Sequence, residues 1–162
     1  MRLIIASCAL LGGCALISPL PDMRTASDRA RELSPKCSGA PESATAQALT
    51  PSMVESVEPA YSYVSSGPVD RQARLRGARI HLRPAGPQSR EALQRGLECH
   101  EVSVLLGRTG SASDDPYALD NVWLDISVDS EGDGFVVLVR TESLADAKLV
   151  LDRARRFVGH RA

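Results

Sequence analysis

The second half of the chain carries a regular succession of strand and helix patterns, which constrains the fold more than any other feature. Apolar and polar residues that alternate with a period of two predict two strands with one buried face, and a third strand is apolar on both faces, as is typical of a central strand. Apolar residues that recur every three to four positions predict two amphipathic helices. In chain order, these elements are the strand over 78–83, the helix over 89–107, the strands over 121–129 and 135–141, and the helix over 143–159.

The order β-α-β-β-α predicts a small α+β domain over residues 71–160. Right-handed crossovers place the first strand beside the third, with the second strand outside. We therefore expect a three-stranded sheet of order 1-3-2 with both helices on one face. This plan resembles the split β-α-β arrangement of ferredoxin-like domains, K-homology modules and the small periplasmic modules of secretins. The predicted helix lacks the glycine-rich clamp of K-homology domains, so the resemblance implies a fold and no ligand.

The helix over 89–107 has two distinct faces when its residues are spaced by 100°. Ser89 is suited to begin this helix and Gly107 to end it. The predicted buried face contains Leu93, Gly96, Leu97, His100 and Val104. The predicted opposite face contains Glu91, Gln94, Glu98 and Glu101.

Residues 14–70 are rich in Ala, Ser, Pro and Thr and contain only brief periodic stretches, so we interpret them as a tether. One stretch, "VEPAYSYV" at 57–64, has two tyrosines and is too apolar for a solvated spacer. We expect this stretch to pack on the domain that follows. The tether is therefore predicted to be partly packed on the α/β domain of residues 71–160.

The first residues of the chain have the pattern of an export signal. Arg2 precedes an apolar run over 3–11, which is about half the length that a membrane-spanning helix needs. The run ends in Leu-Gly-Gly-Cys at 11–14, which resembles the lipobox of bacterial lipoproteins. That resemblance implies a signal peptide over 1–13 and a lipid on Cys14. The alternative is ordinary secretion with cleavage at a small residue near Cys14.

The resemblance to lipoproteins also implies a location. In that family the residue after the lipidated cysteine influences sorting, and Ala15 is not the aspartate associated with the inner membrane. We therefore expect a protein of the cell envelope, anchored in the outer membrane and facing the periplasm. The lipid on Cys14 makes the membrane its first partner.

Two cysteines remain after the signal peptide and the anchor, Cys37 and Cys99. An oxidising compartment favours a disulfide between them. Such a bond closes a loop of about 60 residues and contributes about 4 kcal/mol to stability in the chain-entropy model.

Composition and motifs narrow the functional classes. The formal net charge is −1, so we expect no nucleic-acid partner. The sequence has no glycine-rich phosphate loop, no nucleophile elbow and no Cys-x-x-Cys pair. These features predict a protein that is not an enzyme and that needs no cofactor.

Two acidic stretches are interpreted as turns. Asp129, Glu131 and Asp133 alternate like calcium ligands, but Arg140 stands where a bidentate acid belongs, which favours a tight hairpin. The stretch Asp114-Asp115-Pro116 is interpreted as a turn, because no spacing in the sequence brings another acid or a histidine close to it.

The adjacent residues Cys99 and His100 are the pair in the sequence that most suggests a functional site. They diverge by 100° on the helix and are poorly placed to hold one metal ion together. We interpret His100 as a core histidine that donates to a carbonyl or a carboxylate. A weaker alternative makes it a metal ligand or proton carrier, with His81 or His160 as its partner.

The outer face of the predicted sheet is the candidate interaction surface. Strand alternation directs Trp123 away from the helices, and Tyr61 or Tyr63 could cover it. The predicted surface contains Arg79, His81, Arg83, Trp123, Asp125 and Leu138. We expect a lipid-anchored, non-catalytic binding module whose partner is another envelope protein or a second copy. A ligand- or metal-binding protein that uses His100 and an unrecognised hydrolase are the alternatives.

Overall fold

A computed structural model describes residues 24–39, 45–46, 48–65, 71–83 and 86–159. The predicted signal peptide, Cys14 and His160 lie outside the described residues. In chain order, the helices and strands are α1 (Ala26–Leu33), β1 (Val54–Ser65), β2 (Arg71–Leu82), α2 (Arg90–Leu105), β3 (Asp125–Glu131), β4 (Gly134–Arg140) and α3 (Leu144–Gly159).

The strands form one antiparallel sheet of order β1-β2-β4-β3. The predicted α+β class is confirmed. The predicted order of the three strands is also confirmed, because β2 lies beside β4 and β3 lies on the other side of β4. The predicted number of strands is wrong. Residues 54–65, assigned to the tether, form a fourth strand that pairs with β2 along its whole length.

Two irregularities of β1 explain why alternating polarity did not predict this strand. The register with β2 shifts between Val54 and Ser56, so one extra residue of β1 lies between them. Val54 and Val57 therefore pair with the inward residues Leu82 and Ile80, although they are three positions apart. Because β1 is an edge strand, it also tolerates Pro59, which cannot donate a ladder hydrogen bond.

A second register shift, between Ala60 and Tyr61, separates the sheet from a projecting hairpin end. Gly77 lies here with a φ of 146°, and a Cβ atom on it would collide with the carbonyl oxygen of Val139. The strand β4 pairs with β2 only over 77–82. The end of the β1–β2 hairpin therefore extends beyond the rest of the sheet as two strands.

Both long helices pack on the same side of the sheet. Ser89 begins α2 by accepting a hydrogen bond from the backbone of Ala92, and Gly107 follows its end with a φ of 67°, as predicted. The helices α2 and α3 contribute to one core with inward residues of all four strands. Its larger members include Val54, Ile80, Leu93, Leu97, Tyr117, Leu124, Val137, Val139, Val150 and Phe157.

The prediction for one face of α2 is wrong at Glu101, which is buried although it was assigned to the exposed face. Its carboxylate oxygen Oε1 accepts a hydrogen bond from the backbone N–H of Leu124 at 2.5 Å. Helical spacing could not reveal this contact, because Leu124 lies in the segment that leads into β3.

The helix α1 is attached to α2 rather than to the sheet. Thr25 begins it with a capping box that includes Asp28. The predicted disulfide is present, and it joins Cys37, in the 3₁₀ turn after α1, to Cys99 on α2 with a Cα–Cα distance of 5.4 Å. Arg95 donates a hydrogen bond to the carbonyl oxygen of Lys36 at 2.7 Å beside it. Part of the predicted tether is thus folded against the domain.

Candidate functional site

Four of the predicted surface residues, Arg79, His81, Asp125 and Leu138, lie on the outer face of the sheet. In the registers of β1, β2 and β4, Arg79 is flanked by Glu58 and Leu138, and His81 is opposite Val136. Their neighbours Ala78, Ile80, Val137 and Val139 belong to the core on the other face. The sheet therefore brings Arg79, His81 and Leu138 together, as the alternation predicted.

Ion pairs cover much of this face. His81 Nδ1 is 2.9 Å from Glu131 Oε2. Arg83 lies just after β2, where its guanidinium is 2.6 Å from Glu55. Val136, at the centre of the face, is buried. Little apolar surface is therefore exposed at the centre of this face.

Trp123 stands outside the strands of the sheet, and its neighbours Val122 and Leu124 contact the core, as the alternation predicted. The strand β3 begins at Asp125, and Trp123 precedes it in a loop that contains a bridge between Leu119 and Val122. Asn121 has a φ of 61°, which turns the chain sharply at this point.

Trp123 is half-buried in a groove of about 740 Å³ at the end of the sheet. The rim contains both acidic and basic side chains. The Arg140 guanidinium is 2.8 Å from the Asp125 carboxylate. Arg24, the first described residue, also lies at this groove. The remaining charged lining residues are Arg29, Arg76, Glu142 and Asp146.

The backbone on both sides of Trp123 is held in place. The turn at Asn121 precedes it, and the hydrogen bond from the Leu124 N–H to buried Glu101 follows it. Tyr61 and Tyr63 do not cover Trp123, because they lie on the projecting end of the hairpin and are 53% and 72% exposed. The "VEPAYSYV" stretch packs on the domain as part of the edge strand β1, beside the sheet rather than across its outer face.

The structure brings His100 and Asp115 together. His100 Nε2 is 2.7 Å from Asp115 Oδ2, and the side chains are only 12% and 5% exposed. The other carboxylate oxygen of Asp115 accepts a hydrogen bond from the backbone N–H of Tyr117 at 2.9 Å. The interpretation of His100 as a histidine bonded to a carboxylate is confirmed.

Sequence reasoning missed the identity of that carboxylate. Asp115 does bond to the backbone two residues on, as a turn residue should, and it also holds the imidazole. A fifteen-residue separation through a loop has no periodic signature. Arg153 on α3 keeps this loop in place by donating hydrogen bonds to the carbonyl oxygens of Asp115 and Ala118 at 3.3 and 3.0 Å.

His100 also lines a cavity of about 760 Å³ between α2 and the turn after α1. The disulfide forms part of its wall. The polar side chains that line it belong to Ser34, Ser38, Thr45, Ser103, Arg108 and Thr109, together with His100.

The weak metal candidate, His100, contacts one possible ligand, the carboxylate of Asp115. Within the described part of the chain, no three His, Cys, Asp or Glu side chains are grouped as metal ligands would be. His81 contacts Glu131 on the outer face of the sheet, and Cys99 is in the disulfide. The acidic stretch at 129–134 forms the tight β3–β4 hairpin, with Gly132 at a φ of 59° in its turn.

Two buried groups have strongly raised pKa values. Burial raises the pKa of Glu101 to about 8, with Glu98 and Asp125 adding repulsion and the Leu124 hydrogen bond opposing the shift. Burial also raises the pKa of Tyr117, and the Asp115 charge adds to this effect. The Tyr117 ring packs edge-on against Phe157 with centroids 6.3 Å apart.

The described helices are all too short or too polar to span a bilayer. No protein-family model matches the chain, and neither a curated protein nor a solved structure is significantly similar to it.

Proposed function

We propose that this protein is a lipid-anchored component of the cell envelope whose α+β domain is a non-catalytic binding module for another envelope protein. The lipobox-like sequence at 11–14 supports an anchor on Cys14 in the outer membrane, facing the periplasm. The disulfide between Cys37 and Cys99 supports an oxidising compartment. We assign the binding surface to the groove around Trp123, which replaces the sheet face in this role.

The observation that carries this proposal is the environment of Trp123, the single tryptophan of the chain. Its indole is only half-buried, although the core of the domain is close by. Arg76, Arg140 and Asp125 stand around it, so an aromatic centre is surrounded by a polar rim. Tryptophan in such a setting is the residue type most enriched at the energetic centres of protein interfaces.

The position of the groove also supports a partner in the envelope. Arg24 lines the groove and stands ten residues after Cys14 in the sequence. Ten residues extend about 35 Å at most, so a lipid on Cys14 would keep the groove close to the membrane surface. A second envelope protein anchored in the same membrane would meet it there.

Site-specific crosslinking in cells tests this proposal. A photoreactive residue replaces Glu142, which is exposed at the groove, in the full-length exported protein. We expect a crosslinked product from this position that Trp123→Ala abolishes. The matched control is Tyr63→Ala, which removes an exposed aromatic ring from the projecting hairpin and should leave the product unchanged.

Three results would contradict the proposal: no product from position 142, a product that survives Trp123→Ala, or a loss of several kcal/mol in stability on Trp123→Ala without any partner. The mass of the product distinguishes a different envelope protein from a second copy of this chain. A second copy would support binding at the groove and replace the proposed partner by self-association.

The His100–Asp115 pair favours a second candidate function, the binding of a small ligand. A histidine oriented by a buried carboxylate is also a part of many catalytic sites. The alternative that the protein is a hydrolase therefore stays a prediction. The binding role is developed below because the lining of the cavity supports it directly.

A further inference from the structure

We infer that the cavity beside the disulfide binds a small organic oxyanion, with His100 and Arg108 as its principal recognition groups. This site is separate from the groove around Trp123, and the inference does not depend on the proposed partner. Four features support it: the orientation of His100, the chemistry of the lining, the rigidity of the walls and the size of the cavity.

The contact with Asp115 determines how His100 presents its ring. A carboxylate only accepts hydrogen bonds, so Nε2 carries the proton that lies between the two groups. Among the described residues, Asp115 is the hydrogen-bond partner of the His100 imidazole. Nδ1 is therefore the ring nitrogen left to meet a ligand in the cavity, as an acceptor in the neutral ring or a donor in the charged ring.

The lining of the cavity favours a negatively charged group. None of the described residues that line it is acidic, whereas Arg108, and His100 in its charged form, can donate to an anion. Arg108 follows Gly107 at the end of α2 and is exposed, so its guanidinium can reach a ligand from the mouth. Guanidinium groups bind carboxylate and phosphate oxygens through paired hydrogen bonds. The hydroxyls of Ser34, Ser38 and Thr109 suit a ligand with further polar groups.

The walls are rigid where the ligand would lie. The disulfide joins two of them, and a Cβ atom on Gly96 would lie 2.5 Å from the Thr45 hydroxyl oxygen. Ser103 donates to the carbonyl oxygen of Cys99 at 2.9 Å, one turn back on α2. Walls fixed in this way lower the entropic cost of binding.

The size of the cavity indicates a molecule larger than a simple ion. A volume of about 760 Å³ lies within the range of small-molecule sites. A small organic molecule with an oxyanion and hydroxyl groups matches both the volume and the lining. Citrate has this chemistry, and inorganic phosphate and glycerol represent its charged and hydroxyl parts separately.

Calorimetric titration and amide NMR of the exported protein with citrate, phosphate and glycerol test the inference. We expect citrate to bind more tightly than phosphate, glycerol not to bind, and the amide signals of 34–39 and 96–109 to shift. Arg108→Gln should weaken citrate binding by about tenfold or more, because it removes a charge-assisted contact. Arg79→Gln, on the outer face of the sheet, is the matched control and should bind normally.

His100→Gln separates recognition from folding. The glutamine amide can still donate to Asp115, as Nε2 does, but it has no counterpart of Nδ1. We expect the variant to keep its thermal stability and to lose about tenfold in affinity for citrate. The inference is overturned if no anion binds the wild type, or if Arg108→Gln and His100→Gln bind citrate as the Arg79→Gln control does. Binding of phosphate with no preference for citrate would also overturn it, because it would leave a simple ion site.

Discussion

Glu101 on α2 holds the entry to β3 through one buried hydrogen bond, which its side-chain oxygen accepts from the backbone N–H of Leu124. This bond joins the helix that carries His100 to the segment that carries Trp123. It connects the two candidate sites through one side chain that is only 1% exposed.

Glu101 should make the stability of the protein depend on pH. Its pKa is about 8 in the folded chain and close to 4.5 in an unfolded one, so the folded state binds more protons between these values. The free energy of unfolding should therefore fall as the pH rises from about 4.5 to about 8, by several kcal/mol at most. Glu101→Gln keeps an acceptor for Leu124 and should flatten this dependence.

Urea unfolding at several pH values measures the effect of Glu101. Glu98→Gln is the matched control, because Glu98 lies three residues before Glu101 on the same helix and is less buried. It should leave most of the pH dependence in place. A Glu101→Gln variant with the same pH profile as the wild type would show that Glu101 is ionised in the folded protein.

Tyr117→Phe should stabilise the domain or leave it unchanged. The hydroxyl of Tyr117 is buried and has no hydrogen-bond partner in the described part of the chain. Its removal relieves a desolvation cost of about 1 kcal/mol, and the contact of the ring with Phe157 remains. Thermal unfolding measures the change, and Tyr63→Phe, with an exposed ring, is the control. A loss of more than about 1 kcal/mol would indicate a bonded hydroxyl.

Gly77→Ala should destabilise the domain by several kcal/mol. The new Cβ atom would collide with the carbonyl oxygen of Val139, and a φ of 146° is unfavourable for alanine. Gly132→Ala tests the backbone effect alone, because Gly132 also has a positive φ but nothing within 4 Å of the new atom. The Gly132 variant should lose about 1 kcal/mol in chemical denaturation. Equal losses in the two variants would argue against the close packing of β2 on β4 at this point.

Cys37 and Cys99 should be oxidised in exported protein. Intact-mass measurement after alkylation, with and without reductant, detects any free thiol. We expect both cysteines to react only after reduction, and the Cys37→Ala, Cys99→Ala double variant to lose about 4 kcal/mol of stability. Alkylation of both residues without reductant would mean that the bond does not form in the cell.

Cys14 should carry the lipid. Cys14→Ala should abolish acyl labelling and move the protein out of the detergent phase, because the acyl chains supply the membrane affinity. Cys8→Ala, which changes the predicted signal peptide, is the matched control and should keep the label. Unchanged detergent partitioning of the Cys14 variant would contradict the anchor.

Local patterns were enough for much of the architecture. The periods of the strands and helices in the second half predicted α2, α3 and the order of β2, β4 and β3, since each pattern acts over one element. The same patterns missed β1, because its bulge breaks the alternation between Val54 and Val57. They could not show that Trp123 lies outside the sheet, in the loop that ends just before β3 begins at Asp125.

The sequence by itself determined the α+β plan, the caps of α2, the pairing of the two cysteines and the outward position of Arg79 and His81. Only the tertiary structure decided that Asp115 meets His100 and that Glu101 is buried against Leu124. The physical reason is the range of the interactions. Periodicity and capping depend on neighbours within about one turn or one strand, whereas these two contacts join a helix to a loop whose path is set by packing.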